Sequence, residues 1–150
     1  MECRRMLELH ENEYWAYLLQ SIIHAQGGQL EEALETAREA HSLAPWYLPV
    51  VATFAAMLRL TGDTAEAGTM LLKLGDGQAY GAPLGFVNYH LLCSEIDLAA
   101  DWAAKAIEQR DPALHAFLRF PYAKELLESS RWPALAEMTN LPDAGYTKRP

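Results

Sequence analysis

The sequence predicts an all-α protein, an α-solenoid of antiparallel helix pairs closed by a C-terminal helical cap. Three observations lead to this fold class. Apolar residues between Leu30 and Ala40 recur at spacings of three and four, which places them on one face of a helix. A unit of this kind returns at a shift of 34 residues. Glycine and proline, which interrupt helices, separate the units.

The first helix pair is predicted over residues 13–45. Glu13–Gln26 is apolar nearly all round, which is typical of a helix that is buried or presents a contact surface. Gly27 and Gly28 follow it and supply a turn. The second helix starts near Gln29 with acidic residues in its first turn, where the helix dipole favours them. Pro45 ends it.

Two later copies of the second helix follow. In the first, Gly62 lies 34 residues after Gly28 and Ala67 lies 34 after Ala33. In the second copy, Ala106 is equivalent to Ala40. Asp111-Pro112 ends this copy as Ala44-Pro45 ends the original helix. The first helices of these pairs are predicted over 46–60, with Pro49 in the first turn, and over 83–92. The second helices are predicted over 64–74 and 95–109.

The repeat length near 34, the turn glycine, the paired alanines and the closing proline resemble the tetratricopeptide repeat, TPR. The resemblance implies that residues 13–112 form three TPR-like units. It also implies close helix crossings at the alanine sites, where small residues are needed. The units are degenerate, because the family's tryptophan, leucine-glycine and tyrosine positions hold other residues. The tyrosine position holds His24, Leu58 and His90, which predicts packing or a hydrogen bond within each helix pair.

Residues 1–12 precede the first unit. Met6–Asn12 resembles the end of a second TPR helix, which implies that the chain begins inside a repeat and is a segment of a longer protein. A short native helix that caps the array is the alternative.

A glycine-rich loop is predicted over 75–83, and a different pattern begins at Ala113. Residues 113–142 are predicted to be capping helices, since a repeat array needs an atypical last element. They are similar to the tail of bacterial regulators in which TPR segments follow winged-helix, cyclase or kinase domains. Residues 143–150 are expected to fray.

Composition excludes several classes of protein. The formal charge of −8 disfavours a nucleic-acid binder and agrees with basic or neutral partners. No apolar run reaches the length of a membrane span, and the first residues, Met-Glu-Cys-Arg-Arg, lack the apolar region of a signal peptide. Cys3 and Cys93 do not make a disulfide framework, so a cytoplasmic location is predicted.

The sequence contains no enzyme motif, and we predict no catalytic residue, cofactor or metal. His90 and Cys93 are spaced to share a zinc ion, but two ligands do not make a site. The glycines of residues 75–81 lack the lysine and the preceding strand of a phosphate-binding loop. The many carboxylates of the second helix lie on a solvated face, which does not favour acid–base catalysis.

The predicted function is a non-catalytic protein–protein interaction scaffold, which resemblance places in a larger bacterial regulatory protein. Such solenoids bind partners in a concave groove lined by the first helix of each repeat. The predicted groove residues are Trp15, Leu18, Ile22, Arg59, Asn88 and Leu91. Leu18 stands where the carboxylate clamp of chaperone-binding TPRs has a lysine, so an apolar peptide or helix is the expected partner.

Three alternatives stay open. Three repeats are too few for a deep groove, in which case the groove residues contact the cap. The aromatic face from Tyr14 to Ile23, together with Leu7, can instead form a homodimer. The groove can also be a small-ligand pocket with Arg59 and Asn88 as polar anchors.

Overall fold

The structure is a computed structural model that describes residues 13–139, apart from the side chain of Tyr122. The described residues are helical and contain no strand, so the predicted all-α fold is confirmed for this part of the chain. The predictions for residues 1–12, for the end of the cap at 140–142 and for the tail at 143–150 lie outside the described residues.

Nine α-helices and two 3₁₀ turns follow one another along residues 13–139. The helices are α1 Glu13–Gln26, α2 Leu30–Leu43, α3 Leu48–Leu60, α4 Thr64–Leu71, α5 Ala82–Leu92, α6 Ile96–Glu108, α7 Ala113–Leu118, α8 Lys124–Leu127 and α9 Trp132–Thr139. The 3₁₀ turns are Leu72–Leu74 and Pro121–Ala123.

Two helix boundaries lie two or more residues from their predicted positions. The helix predicted from residue 46 begins at Leu48, because Tyr47 has an extended backbone and acts as its N-cap. The helix predicted over 64–74 ends at Leu71 and tightens into a 3₁₀ turn, which Gly75 closes by donating to the Leu72 carbonyl at 3.0 Å. A 3₁₀ turn is a common way for a helix to end.

Helices α1 to α6 form three hairpins whose turns have the same hydrogen bonds. In each turn the residue after a left-handed position donates to the carbonyl five residues earlier. The distances are 2.9 Å from Gln29 to His24, 2.8 Å from Asp63 to Leu58 and 2.8 Å from Glu95 to His90. The left-handed residues are Gly28, Gly62 and Ser94, with φ of 79°, 103° and 61°. This is the Schellman pattern of helix ends.

Small residues bring the helices of each hairpin together. The buried alanines are Ala33, Ala37 and Ala40 on α2, Ala67 on α4, and Ala99, Ala100, Ala103 and Ala106 on α6. The Ser21 hydroxyl donates to the Ala33 carbonyl at 2.7 Å, which joins α1 directly to the backbone of α2. A larger residue in place of Ser21 or Ala33 would hold the backbones of α1 and α2 apart.

Helix α3 lies at the centre of the fold. It packs against α2, α4 and α5, and every residue from Pro49 to Leu58 is buried. Its sequence is therefore apolar on all sides, as expected of a helix without a solvated face.

The loop of residues 75–81 is held against α6. Gly77, with a φ of 85°, packs so closely on the Trp102 ring that a β-carbon there would clash. The Gln109 side chain accepts from the Gly81 amide at 3.1 Å and donates to the Gln78 carbonyl at 3.1 Å. The loop therefore has a defined conformation.

Helices α7 to α9 cover one side of the hairpins. Leu114, Phe117, Leu126 and Trp132 are buried in one continuous core cluster that also contains residues of α1, α5 and α6. Arg131, which precedes α9, donates to the Asp101 carboxylate of α6.

Candidate functional site

The predicted groove residues do not form one open surface. Leu18, Ile22, Asn88 and Leu91 are buried, and the three apolar residues among them belong to the core cluster that includes Leu114 and Phe117 of the cap. In this conformation these four side chains offer no accessible contact area. Their role in binding a partner stays a prediction.

Trp15 is half-buried and contacts the cap directly. Its ring stacks on Phe117, with 5.4 Å between the ring centroids and 25° between the ring planes. The contact joins the first turn of α1 to α7 across most of the described chain. It agrees with the alternative in which groove residues face the cap.

Arg59 lies at the opposite end of the hairpins, in a polar network beside the tight turns. Its guanidinium forms two parallel hydrogen bonds of 3.1 Å with the Glu95 carboxylate, and it donates to the Tyr89 hydroxyl at 3.3 Å. These bonds raise the pKa of Arg59, Glu95 contributing most. The guanidinium is therefore already matched by a carboxylate, although its side chain is 38% exposed, and Asn88 is buried. Their role as polar anchors for a small ligand stays a prediction.

His90 completes this network. Its Nδ1 lies 2.9 Å from Glu95 Oε1, and His24 makes the equivalent contact with Gln29 at 3.0 Å in the first hairpin. For these two histidines the sequence predicted packing or a hydrogen bond within the helix pair, and both make a hydrogen bond. The Arg59 bonds, followed by the His90 bond, lower the pKa of Glu95.

Cys93 lies at the edge of the same network. Burial raises the pKa of its thiol, which opposes thiolate chemistry. Within residues 13–139, no group of three or more His, Cys, Asp or Glu side chains is arranged to hold a metal ion.

The other end of the hairpins carries a cluster of aromatic rings, which we call the aromatic end. Its members are Tyr14, Trp15, Trp46 and Tyr47. The Tyr14 centroid lies 5.5 Å from those of Trp46 and Tyr47, and the Trp15 centroid lies 6.0 Å from that of Tyr47. The rings tilt against one another, as aromatic groups prefer.

Part of the aromatic end is open to solvent. Trp46 is 65% exposed, and Tyr80 from the glycine-rich loop is 64% exposed. Burial, followed by the charge of Asp111, raises the pKa of Tyr47, and Tyr14 and Tyr80 add to the effect. Asp111, Tyr14 and Tyr80 therefore each lie near Tyr47. The aromatic end therefore presents one large exposed apolar ring, that of Trp46.

A cleft of about 420 Å³ lies beside this end, between the close of α6 and the end of α9. The described residues that line it are Ile107, Arg110, Asp111, Pro112, Leu114, His115, Met138 and Thr139. Its volume is within the range of small-molecule sites.

The aromatic end and the cleft were not predicted from sequence, except for Tyr14 and Trp15, which belong to the predicted aromatic face of α1. Trp46 and Tyr47 were placed inside a helix, yet they lie between the Pro45 stop and the Pro49 start signal. The sequence signal that could have identified this surface is the pair of adjacent aromatic residues, Trp46 and Tyr47, which does not follow the helical spacing of apolar residues. Nothing in the local sequence indicates that Asp111 is buried, because its cover comes from the cap.

Comparisons with protein-family models, curated proteins and solved structures found no match. Within residues 13–139, no helix combines the length and the hydropathy that a bilayer-spanning segment needs.

Proposed function

We propose that the chain is a non-catalytic protein–protein interaction module, and that its aromatic end is the surface that contacts the partner. The observation that carries this proposal is the exposure of Trp46, which is 65% accessible while its ring rests on Tyr14 and Tyr47. Tryptophan and tyrosine are the residues most often found at the energetic centre of protein interfaces. Their rigid rings lose little conformational entropy on binding.

The architecture of the module is proposed to be a short α-solenoid of about three degenerate TPR units with a helical cap. The repeated turn hydrogen bonds at Gly28, Gly62 and Ser94 support this reading, since equivalent residues close equivalent hairpins. By resemblance, the module is the TPR segment of a larger bacterial regulatory protein in the cytoplasm.

The test is a selection of peptides from a random library against the folded chain, with affinities then measured for two variants. Trp46→Glu is expected to weaken the selected peptides about 30-fold or more, as the loss of an interface hot spot does. Leu72→Glu is the matched control, because Leu72 is 79% exposed, lies outside the aromatic end and gains the same charge. Peptides that bind both variants alike would contradict the assignment.

Homodimerisation is the second candidate, and the exposure of Ile23 favours it. Ile23 is 58% exposed on α1 and continues a four-residue spacing through Trp15 and Leu19, both half-buried. Light scattering across a concentration series tests it. A dimer that Ile23→Glu converts to a monomer supports this candidate. Trp15→Glu is the poorer variant, since it also removes the stack on Phe117.

A further inference from the structure

The cleft beside the aromatic end contains a buried carboxylate that has no positive partner among the described residues. Asp111 is 7% exposed, and its Oδ1 accepts the Ala113 amide at 3.0 Å. A carboxylate offers about four acceptor positions, and the Ala113 amide takes one of them, so the described residues leave most of its capacity to groups that enter the cleft. Among residues 13–139, no Lys, Arg or His nitrogen lies within 4.0 Å of this carboxylate.

Burial without a counter-charge is unfavourable for Asp111. It raises the pKa of the side chain, and the single backbone hydrogen bond offsets only part of this effect. A buried charge is normally paired, because the energy of its lost hydration is otherwise not recovered. A cation bound in the cleft would supply the missing partner.

The other residues that line the cleft indicate the rest of the ligand's structure, beyond its cationic group. Ile107, Leu114 and Met138 give the cleft apolar walls, which suit a branched or unbranched hydrocarbon group. Arg110 also lines the cleft and is exposed, so it offers a positive charge nearer to solvent. One buried negative charge and one outer positive charge complement a ligand that carries both charges and is neutral overall.

We propose that this cleft binds a small zwitterionic amine with an apolar body, of the class of the apolar α-amino acids. The ammonium group pairs with Asp111, the hydrocarbon side chain lies against Leu114 and Met138, and the carboxylate faces Arg110. This site is separate from the aromatic surface assigned to the protein partner, so either assignment can fail without the other.

Calorimetric titration of the full chain with L-leucine, L-methionine and L-phenylalanine tests the proposal. At least one of them is expected to bind. Asp111→Asn is expected to weaken that binding about tenfold or more, because a hydrogen bond to a charged group contributes a binding free energy of this size. The asparagine oxygen can still accept the Ala113 amide. Asp76→Asn is the matched control, because the Asp76 carboxylate accepts the Gln78 amide at 3.0 Å in the same geometry but is exposed.

Two analogues of the bound amino acid separate the contributions of its charges. The analogue without the ammonium group is expected to lose binding, and the analogue without the carboxylate is expected to keep part of it. A second variant guards against misfolding of Asp111→Asn. Met138→Lys changes a residue that is 41% exposed, and its own ammonium group should compete for Asp111 and block the ligand.

The proposal is overturned if none of the three amino acids binds the folded wild-type chain at millimolar concentration. It is also overturned if Asp111→Asn, folded by circular dichroism, binds as tightly as Asp76→Asn. Equal binding by Met138→Lys and the wild type would likewise contradict the assignment of the ligand to this cleft.

Discussion

At the scale of single residues, the hairpin turns show how one backbone conformation is reached from different side chains. Gly28 and Gly62 adopt positive φ without a steric cost, whereas Ser94 adopts a φ of 61° with a β-carbon. The third turn is therefore under more strain than the other two. The sequence showed that the third copy lacks the glycine, and the structure shows that it keeps the turn.

Ser94→Gly is expected to stabilise the fold by about 0.5 kcal/mol, because relief of the left-handed strain outweighs the added freedom of the unfolded chain. Gly62→Ala is expected to destabilise it by about 1 kcal/mol or more for the opposite reason. Urea unfolding measures both changes.

Gly68→Ala is the control for these two variants. Gly68 lies inside α4 with an open space around it, so alanine is expected to stabilise the helix by about 0.5–1 kcal/mol. If Gly62→Ala and Gly68→Ala shift the free energy of unfolding in the same direction, the turn assignment is wrong.

A second prediction at this scale concerns Glu95. Its folded-state pKa lies below the unfolded value of 4.5, chiefly because of the Arg59 hydrogen bonds. The folded state therefore gains stability from Glu95 above pH 4.5, and this gain is lost as the pH falls through the lowered pKa. The side chains of Arg59 and Glu95 are 38% and 31% exposed, so solvent limits the contribution to about 1 kcal/mol or less.

Thermal unfolding between pH 7 and pH 3 measures this contribution. Glu95→Gln should be less stable than the wild type at pH 7, and the difference should shrink towards pH 3. Glu31→Gln, an exposed carboxylate on α2, is the control and should show little difference at either pH. A difference for Glu95→Gln that is constant with pH would contradict the prediction.

At the scale of helices, most of the fold could be predicted from the sequence. Helical periodicity and glycine or proline signals located α1, α2, α3, α5 and α6 within about two residues, because each signal acts on the local backbone. The end of α4 was placed wrongly at residue 74. Two leucines and a lysine continue the helical pattern there, and only the packing of Leu74 between α3 and its neighbours selects the 3₁₀ turn.

Ala37→Leu tests the close packing of α2 against α3. Ala37 is 1% exposed in a core cluster that contains Phe54 and Met57 of α3, so the added carbon atoms are expected to destabilise the fold by about 1–3 kcal/mol. Ala65→Leu is the control, because Ala65 is exposed on α4 and its change should stay within about 0.5 kcal/mol. Chemical unfolding that shows equal effects would rule out a close crossing at Ala37.

At the scale of the whole molecule, the stack of Trp15 on Phe117 shows that the cap packs against the first hairpin. An open array would leave α1 and α7 apart, and each repeat would contact only its neighbours. Here the first helix and the cap share one core cluster. The sequence left this point undecided between an open groove and a covered one, because contacts between distant segments have no local signature.

A double-mutant cycle with Trp15→Ala and Phe117→Ala measures this contact. Phe117 is 1% exposed, and its truncation alone should cost about 3–5 kcal/mol. The two changes are expected to be coupled by about 0.5–1.5 kcal/mol, since the rings touch. Trp15→Ala paired with Ala65→Leu, which is distant, should be additive. Additivity of the first pair would show that α1 and α7 do not meet in solution.

The same stack has a mechanical consequence. Force applied between residues 13 and 139 pulls α1 and α9 away from the core cluster that they share, so it loads both the contact of Trp15 with Phe117 and the packing of α9 on α6. Stretching the molecule should therefore begin with the separation of α1 and the cap from this core, which exposes Leu18, Ile22 and Leu91. A tether that pulls on both ends would thus convert a covered surface into an accessible one.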